Sequence, residues 1–242
     1  MTVTILETSE AVARALAERV ASLLRGKPEA VIGLAAGRTP VDGYAEMQRL
    51  HAEGQMDWSR ASTFNLDEFA GIDANHPGSF RRFMDVHLFR GISLPPGRIH
   101  FLNGATSDLD RECERYEAAI ATAGGIDLQV LGIGSNGHIG FNEPGEHLAL
   151  HTHRVRLMES TRRDNAALFG GDVSHVPIEA LSMGIGTILR ARRIVLVATG
   201  GRKAECIRET VNGRLSTRVP ASMVQVHADV ELLLDREAAA RI

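Results

Sequence analysis

Arg193-Ile-Val-Leu-Val-Ala-Thr-Gly-Gly-Arg-Lys-Ala204 decides the fold. Ile194 to Ala198 is an unbroken apolar run rich in β-branched residues. A run without polar alternation reads as a strand covered on both faces, the mark of a parallel sheet. It empties into Gly200-Gly201, and a helical pattern then runs through Ile207 and Val211 with Lys203 in its first turn. The same unit recurs at Ala30-Val-Ile-Gly-Leu34, which passes through Ala35-Ala-Gly-Arg-Thr-Pro40 into a helical pattern at Tyr44, Met47 and Leu50. There Pro40 suits the first helical position and Thr39 the cap. In both units, free backbone N–H groups and a helix dipole meet at a glycine turn, a natural place for an anion.

Working outward, Ser9 to Arg25 sets Val12, Leu16, Val20, Leu23 and Leu24 at helical spacing, with Ser9 as the expected cap and Gly26-Lys27-Pro28 as the stop. Ala61–Leu66, Arg98–Leu102, Ile126–Val130 and Val230–Asp235 read as further strands. Helices are expected from Asn75 through Leu88, at Asp108–Thr122, Ser160–Phe169 and Ile178–Ala191, and as a short piece at Arg236–Ile242. This alternation predicts a single α/β domain over residues 1–242, a three-layer αβα fold with a mostly parallel, Rossmann-like central sheet. No GxGxxG follows the first strand with an acidic residue about 20 on, and no GxxxxGK[ST] occurs, so the Gly-rich turns match neither the dinucleotide fingerprint nor a P-loop.

Apolar residues make up 44% of the chain and charged residues 24%, with a formal charge of -3. That balance gives no electrostatic case for nucleic acid or an anionic membrane. No apolar stretch approaches the roughly 18 residues of a membrane span. Met-Thr-Val-Thr-Ile-Leu-Glu at the start lacks a basic region followed by a long apolar run, so no secretory signal is expected. Cys113 and Cys206 sit in helix-like segments without CxxC spacing and are expected to be reduced thiols of a cytoplasmic protein.

The densest chemistry lies in Leu131-Gly-Ile-Gly-Ser-Asn-Gly-His-Ile-Gly-Phe-Asn-Glu-Pro-Gly145. Its glycines let the backbone turn tightly, and His138 stands between Asn136 and Glu143. An imidazole flanked by two oxygen-bearing side chains is suited to proton transfer. Asp67-Glu68 follows the strand Ala61–Leu66, where such sheets bind ligands; an acidic pair there either faces a ligand or caps a helix. His147, His151 and His153 lack an acidic or cysteine partner at a familiar metal spacing and read as surface histidines.

Four stretches in order, Gly33–Pro40, Phe64-Asn-Leu-Asp-Glu-Phe69, Gly132–Gly145 and Gly200-Gly-Arg-Lys-Ala204, resemble the glucosamine-6-phosphate deaminase (glucosamine-6-phosphate isomerase) family. The likeness runs from about residue 10 to about residue 235, and the GHIGFNEPG segment is its most specific part. The resemblance implies conversion of glucosamine 6-phosphate and water to fructose 6-phosphate and ammonia, without cofactor or metal. It implies Asp67 as the base at C2, and His138 as the ring-opening group supported by Glu143 and Asn136. It also implies Ala36, Gly37, Arg38, Thr39 and Lys203 around the substrate. The partner is then a small amino-sugar phosphate, with a homo-oligomer left open. Galactosamine 6-phosphate on the same chemistry is the nearest alternative, followed by a 6-phosphogluconolactonase and a non-catalytic sugar-phosphate sensor.

The chain departs from the family's pattern at four places. Asn136 stands where many members have Asp; its side chain is expected to accept a hydrogen bond from the imidazole without lending it charge. Ala167 replaces a phosphate-binding arginine, for which Arg163, one turn earlier, or Arg38 in the first turn are the candidate substitutes. Arg38 itself stands where the family has a small residue. Glu146, His147, His153 and Val155 replace the activator-binding residues of allosteric members, so activation by N-acetylglucosamine 6-phosphate is not expected.

Overall fold

The computed structural model describes Met1–Ile242. In chain order the main elements are β1 (Thr2–Leu6), α1 (Ser9–Gly26), β2 (Val31–Leu34), α2 (Val41–Ala52), β3 (Ser62–Asn65), β4 (Asp67–Phe69), α3 (Phe80–His87), β5 (Ile99–His100) and α4 (Leu109–Thr122). There follow β6 (Leu128–Leu131), β7 (His153–Arg156), α5 (Glu159–Asn165), β8 (Glu179–Ser182), α6 (Ile185–Leu189), β9 (Arg193–Ala198), α7 (Ala204–Asn212) and β10 (Val230–Asp235). Seven strands form one parallel sheet in the order β1-β10-β9-β6-β2-β3-β5.

The apolar run in β9 divides its side chains between two cores, as strand pleating requires. Val195 and Val197 pack on one face with Val12, Leu16 and Val20 of α1 and with Tyr44 and Met47 of α2. Ile194 and Leu196 pack on the other with Tyr116 and Ile120 of α4 and with Ile207 of α7. The three-layer αβα prediction therefore holds. At the N-terminal edge of the sheet, charges are matched: Asp127 accepts from Lys27 at 2.8 Å and Arg192 at 2.7 Å, and Glu231 accepts from Arg19 at 2.9 Å and Arg193 at 2.8 Å. No helix is long and apolar enough to cross a membrane.

A second, antiparallel sheet, β4-β8-β7, was not foreseen. The predicted helix Ile178–Ala191 is instead strand β8 followed by the five-residue α6. The apolar spacing there fits a helix, but Ala180, Leu181 and Ser182 have strand partners on both sides, and tertiary pairing overrides local pattern. Gly184 marks the break: a Cβ there would lie 2.2 Å from the His151 carbonyl oxygen. The expected terminal helix Arg236–Ile242 is a run of turns, with the Asp235 carboxylate accepting from both Gly200 N–H and Ala238 N–H. Thr8, not Ser9, caps α1, its Oγ1 accepting from Ala11 N–H at 3.2 Å. Nor does Thr39 cap α2, whose first turn starts from Pro40 without a side-chain cap.

Candidate active site

Strands β9, β6, β2 and β3 are consecutive neighbours in the sheet, and each of the four expected site segments leaves the C-terminal end of one of them. The chain steps from β2 outward to β3 and β5, and from β6 outward in the opposite direction to β9 and β10. The switch point thus lies between β2 and β6, where open α/β sheets bind ligands. The turn Ala35–Pro40 leaves one side of that crevice and the loop Gly132–Gly145 the other.

Within the loop the backbone folds back on itself, Gly134 N–H donating to the His138 carbonyl at 2.9 Å. The imidazole lies directly over Gly134: a Cβ there would sit 2.3 Å from His138 Cε1. Glycine is needed at this point because the ring occupies the space of a side chain. Glu143 Oε2 lies 3.5 Å from His138 Nδ1, an electrostatic contact at the outer limit of a hydrogen bond. The same oxygen accepts from Asn136 Nδ2 at 3.0 Å, and Oε1 accepts from Met158 N–H at 3.2 Å. Burial pushes the Glu143 carboxyl up, but His138 first, then Thr161 and Asn136, together outweigh it and hold it below the usual range. Asn136 does not accept from the imidazole as expected. Its Oδ1 takes the backbone N–H of His138 at 3.1 Å, which shapes the loop and leaves Nδ2 to orient Glu143.

Asp67 is 5% exposed, and its Oδ1 has no hydrogen-bond partner in the protein. Burial, reinforced by the neighbouring Glu68, holds its carboxyl well above the ordinary carboxylate range. The His138 loop meets it at Gly140, which takes φ +56° and whose Cβ position would be 3.7 Å from Asp67 Oδ2. The two acidic neighbours have separate fates. Glu68 accepts from Ser79 Oγ at 2.8 Å and from the N–H groups of Phe80, Arg81 and Phe69 at 3.0, 2.9 and 2.9 Å, and so caps α3. Only Asp67 keeps an uncommitted oxygen.

At the exits of β2 and β9 lie Arg38, exposed in the first turn beside Gly37 (φ +123°), and Lys203. Burial lowers the Lys203 ammonium; Cys206 and Asp164 oppose that, and Arg202 and Arg38 add to it. The three cations thus share one field at the sheet's C-terminal edge. Asp164 also accepts from Ser135 Oγ at 2.9 Å, which ties α5 to the loop. Gly200 and Gly201 do not offer free N–H groups to an anion, as the turn's sequence suggested. The carboxylates of Asp235 and Glu237 take them, at 2.9 Å and 3.2 Å, so that of this turn the Lys203 side chain is what remains to meet an anion. Arg163 is exposed and paired with Glu159 on its own helix, and Ala167 is exposed in the following 3-10 turn.

Met158, Asn142 and Ser182 were missed. Asn142 donates to the carbonyls of Ile139 and Met183, each at 2.8 Å, and Ser182 Oγ accepts from Phe141 N–H at 3.0 Å. They fasten the loop to β8, and the misread strand hid that contact. The histidines after the loop form no metal-binding group; His153 Nδ1 sits 3.1 Å from the His151 carbonyl. Cys113 and Cys206 are buried free thiols.

Residues 6–233 match the family model described as glucosamine-6-phosphate isomerases/6-phosphogluconolactonase. A glucosamine-6-phosphate deaminase of Alkaliphilus oremlandii is 48% identical over 239 residues, covering 99% of both chains. Glucosamine-6-phosphate deaminase 1 of Giardia intestinalis is 46% identical over 92% of this chain and 84% of its own. A solved structure of a monomeric glucosamine-6-phosphate deaminase superposes over 100% of both chains with a TM-score of 0.97 and 42% identity. The 6-phosphogluconolactonase of Thermotoga maritima, at 21% identity and a TM-score of 0.75 over 97% of this chain and 99% of its own, shares the fold. A chain matched from residue 6 to residue 233, and nearly half identical to a full-length relative, belongs to the glucosamine-6-phosphate isomerase/6-phosphogluconolactonase family.

Proposed function

We propose that the protein is a cytoplasmic glucosamine-6-phosphate deaminase that needs no cofactor and no activator. The observation that carries the reading is that buried Asp67 lies against Gly140 of the loop bearing the Glu143-flanked His138, at the switch point of a sheet whose same edge bears Lys203 and Arg38. The phosphate would rest between these cations and the Ala36–Thr39 turn, fixing the sugar so that both groups meet their atoms.

His138 moves a proton from the anomeric hydroxyl to the ring oxygen, which breaks the C1–O5 bond and yields the open aldehyde. Glu143 stabilises the imidazolium that forms on the way, and Asn136 holds Glu143 in place. Asp67, ionised when it acts, removes the proton from C2 and delivers it to C1. As the C1 carbonyl oxygen gains a proton and the amino nitrogen gives one up, the C–N bond at C2 becomes an imine, and water then adds at C2 and expels ammonia to leave the ketone. A buried carboxylate with few hydrogen bonds is a stronger base than a solvated one, which suits it to a carbon acid. The purified protein, given glucosamine 6-phosphate and galactosamine 6-phosphate separately, is expected to release ammonia from the first in preference. Ammonia from neither refutes the reading, and preference for the second moves the substrate to the alternative sugar.

A further inference from the structure

We propose that Asn65 is a positioning residue for Asp67, holding that carboxyl through water bound between β3 and the strand exit. The inference rests on the reading of Asp67 as the base. Asn65 is the last residue of β3 and is completely buried, yet neither its Oδ1 nor its Nδ2 has a hydrogen-bond partner in the protein. Thr63, on the same face by the strand's two-residue period, is also completely buried with its Oγ1 unpartnered. Asp67 opens β4 just past Leu66, two residues farther on and at most about 7 Å along the chain, with its own Oδ1 unpartnered.

A buried amide with both poles unsatisfied is rare, and an apolar residue would pack there without that penalty. The neighbouring hydroxyls do not relieve it. Tyr116 Oη donates to the Asn65 main-chain carbonyl at 2.8 Å, and Tyr44 Oη to that of Ala35 at 2.6 Å. An internal water takes two to four polar partners. The two Asn65 atoms and Asp67 Oδ1 supply that number where β3 ends and β4 begins. Around the carboxyl the ionisable groups are Glu68 on its own strand, Tyr44 from α2, Tyr116 from α4, and the loop of His138 and Glu143 that approaches through Gly140. Among them a donor relayed from Asn65 favours the charged carboxylate and fixes its direction.

The test is kcat and KM for glucosamine 6-phosphate across pH in Asn65→Leu and Asn65→Ser, with a high-resolution crystal structure of the unmodified protein. Asn65→Leu is expected to lower kcat roughly tenfold or more at unchanged KM and to move the acid limb of kcat up by about one pH unit. Asn65→Ser, which keeps a hydroxyl, is expected to recover most of both. The crystal structure is expected to show an ordered water bonded to both Asn65 and Asp67. A folded Asn65→Leu with an unmoved acid limb overturns the proposal, as does a serine variant no better than the leucine one, or a crystal structure dry at that place. Failure of the Asp67 assignment reads out separately, as C2–H exchange that survives Asp67→Asn.

Discussion

Gly134→Ala isolates the placement of the imidazole from every other property of the loop. Gly134 does not take a positive φ, so alanine meets no backbone penalty there. Its Cβ would, however, lie 2.3 Å from His138 Cε1, 2.4 Å from Nδ1 and 2.4 Å from Nε2. Ordinary contact begins at 3.4 Å, so the ring must retreat by about 1.1 Å. A displacement of about 1 Å costs on the order of a hundredfold in rate, equivalent to about 2.7 kcal/mol in the barrier. Steady-state ammonia release from glucosamine 6-phosphate is expected to show kcat reduced to that extent, with KM little changed because the phosphate contacts are untouched. Gly132→Ala is the control: nothing lies within 4 Å of its Cβ position, and near-normal rates are expected. A folded Gly134→Ala within threefold of the unmodified rate would refute the placement of His138 as a proton-transfer group.

Three further outcomes follow from the same geometry. Arg38→Ala should chiefly raise KM, since phosphate contacts act alike in ground and transition states, whereas Arg163→Ala should leave KM unchanged because Arg163 is paired with Glu159. Asp67 has a folded-state pKa above its unfolded value of about 3.9, so its folded form holds a proton longer. The stability this contributes is present below that unfolded value and is lost as pH rises through the folded one. Asp67→Asn is therefore expected to melt at or above the unmodified protein at pH 8, with the gap closing below about pH 4. Glu68→Ala strands the N–H groups it caps and should cost on the order of 3 kcal/mol, seen as a melting temperature lower by roughly 6–12 °C.

The layer architecture was legible because parallel strands buried on both faces write themselves as continuous apolar runs, as Ile194–Ala198 does. The position of the candidate site was legible for a related reason: the loop Gly132–Gly145, Asp67 and the Lys203 turn all follow segments read as strands of that sheet. The β4-β8-β7 sheet was not legible, since Ala180-Leu-Ser182 gains its strand state from partners about 25 and 110 residues away along the chain. With it went the anchoring by Ser182 and Asn142. Side-chain direction was equally hidden: the sequence offers Asp67 and Glu68 as equals, and only the start of α3 at Phe80 shows which of them is spent as a cap. Asn136 was expected to bond the His138 imidazole, yet it bonds the backbone of His138, because a tight turn at Gly137 brings that N–H within its reach.

The most direct test of the account follows hydrogen at C2. The unmodified protein and Asp67→Asn are each given glucosamine 6-phosphate in deuterium oxide, and deuterium in the recovered sugar phosphates is measured alongside ammonia. The unmodified protein is expected to release ammonia and fructose 6-phosphate in equal amounts and to exchange the transferred hydrogen with solvent. The Asp67→Asn protein, folded and still binding the sugar phosphate, is expected to do neither. Exchange that continues in Asp67→Asn would contradict the assignment of this carboxylate as the base.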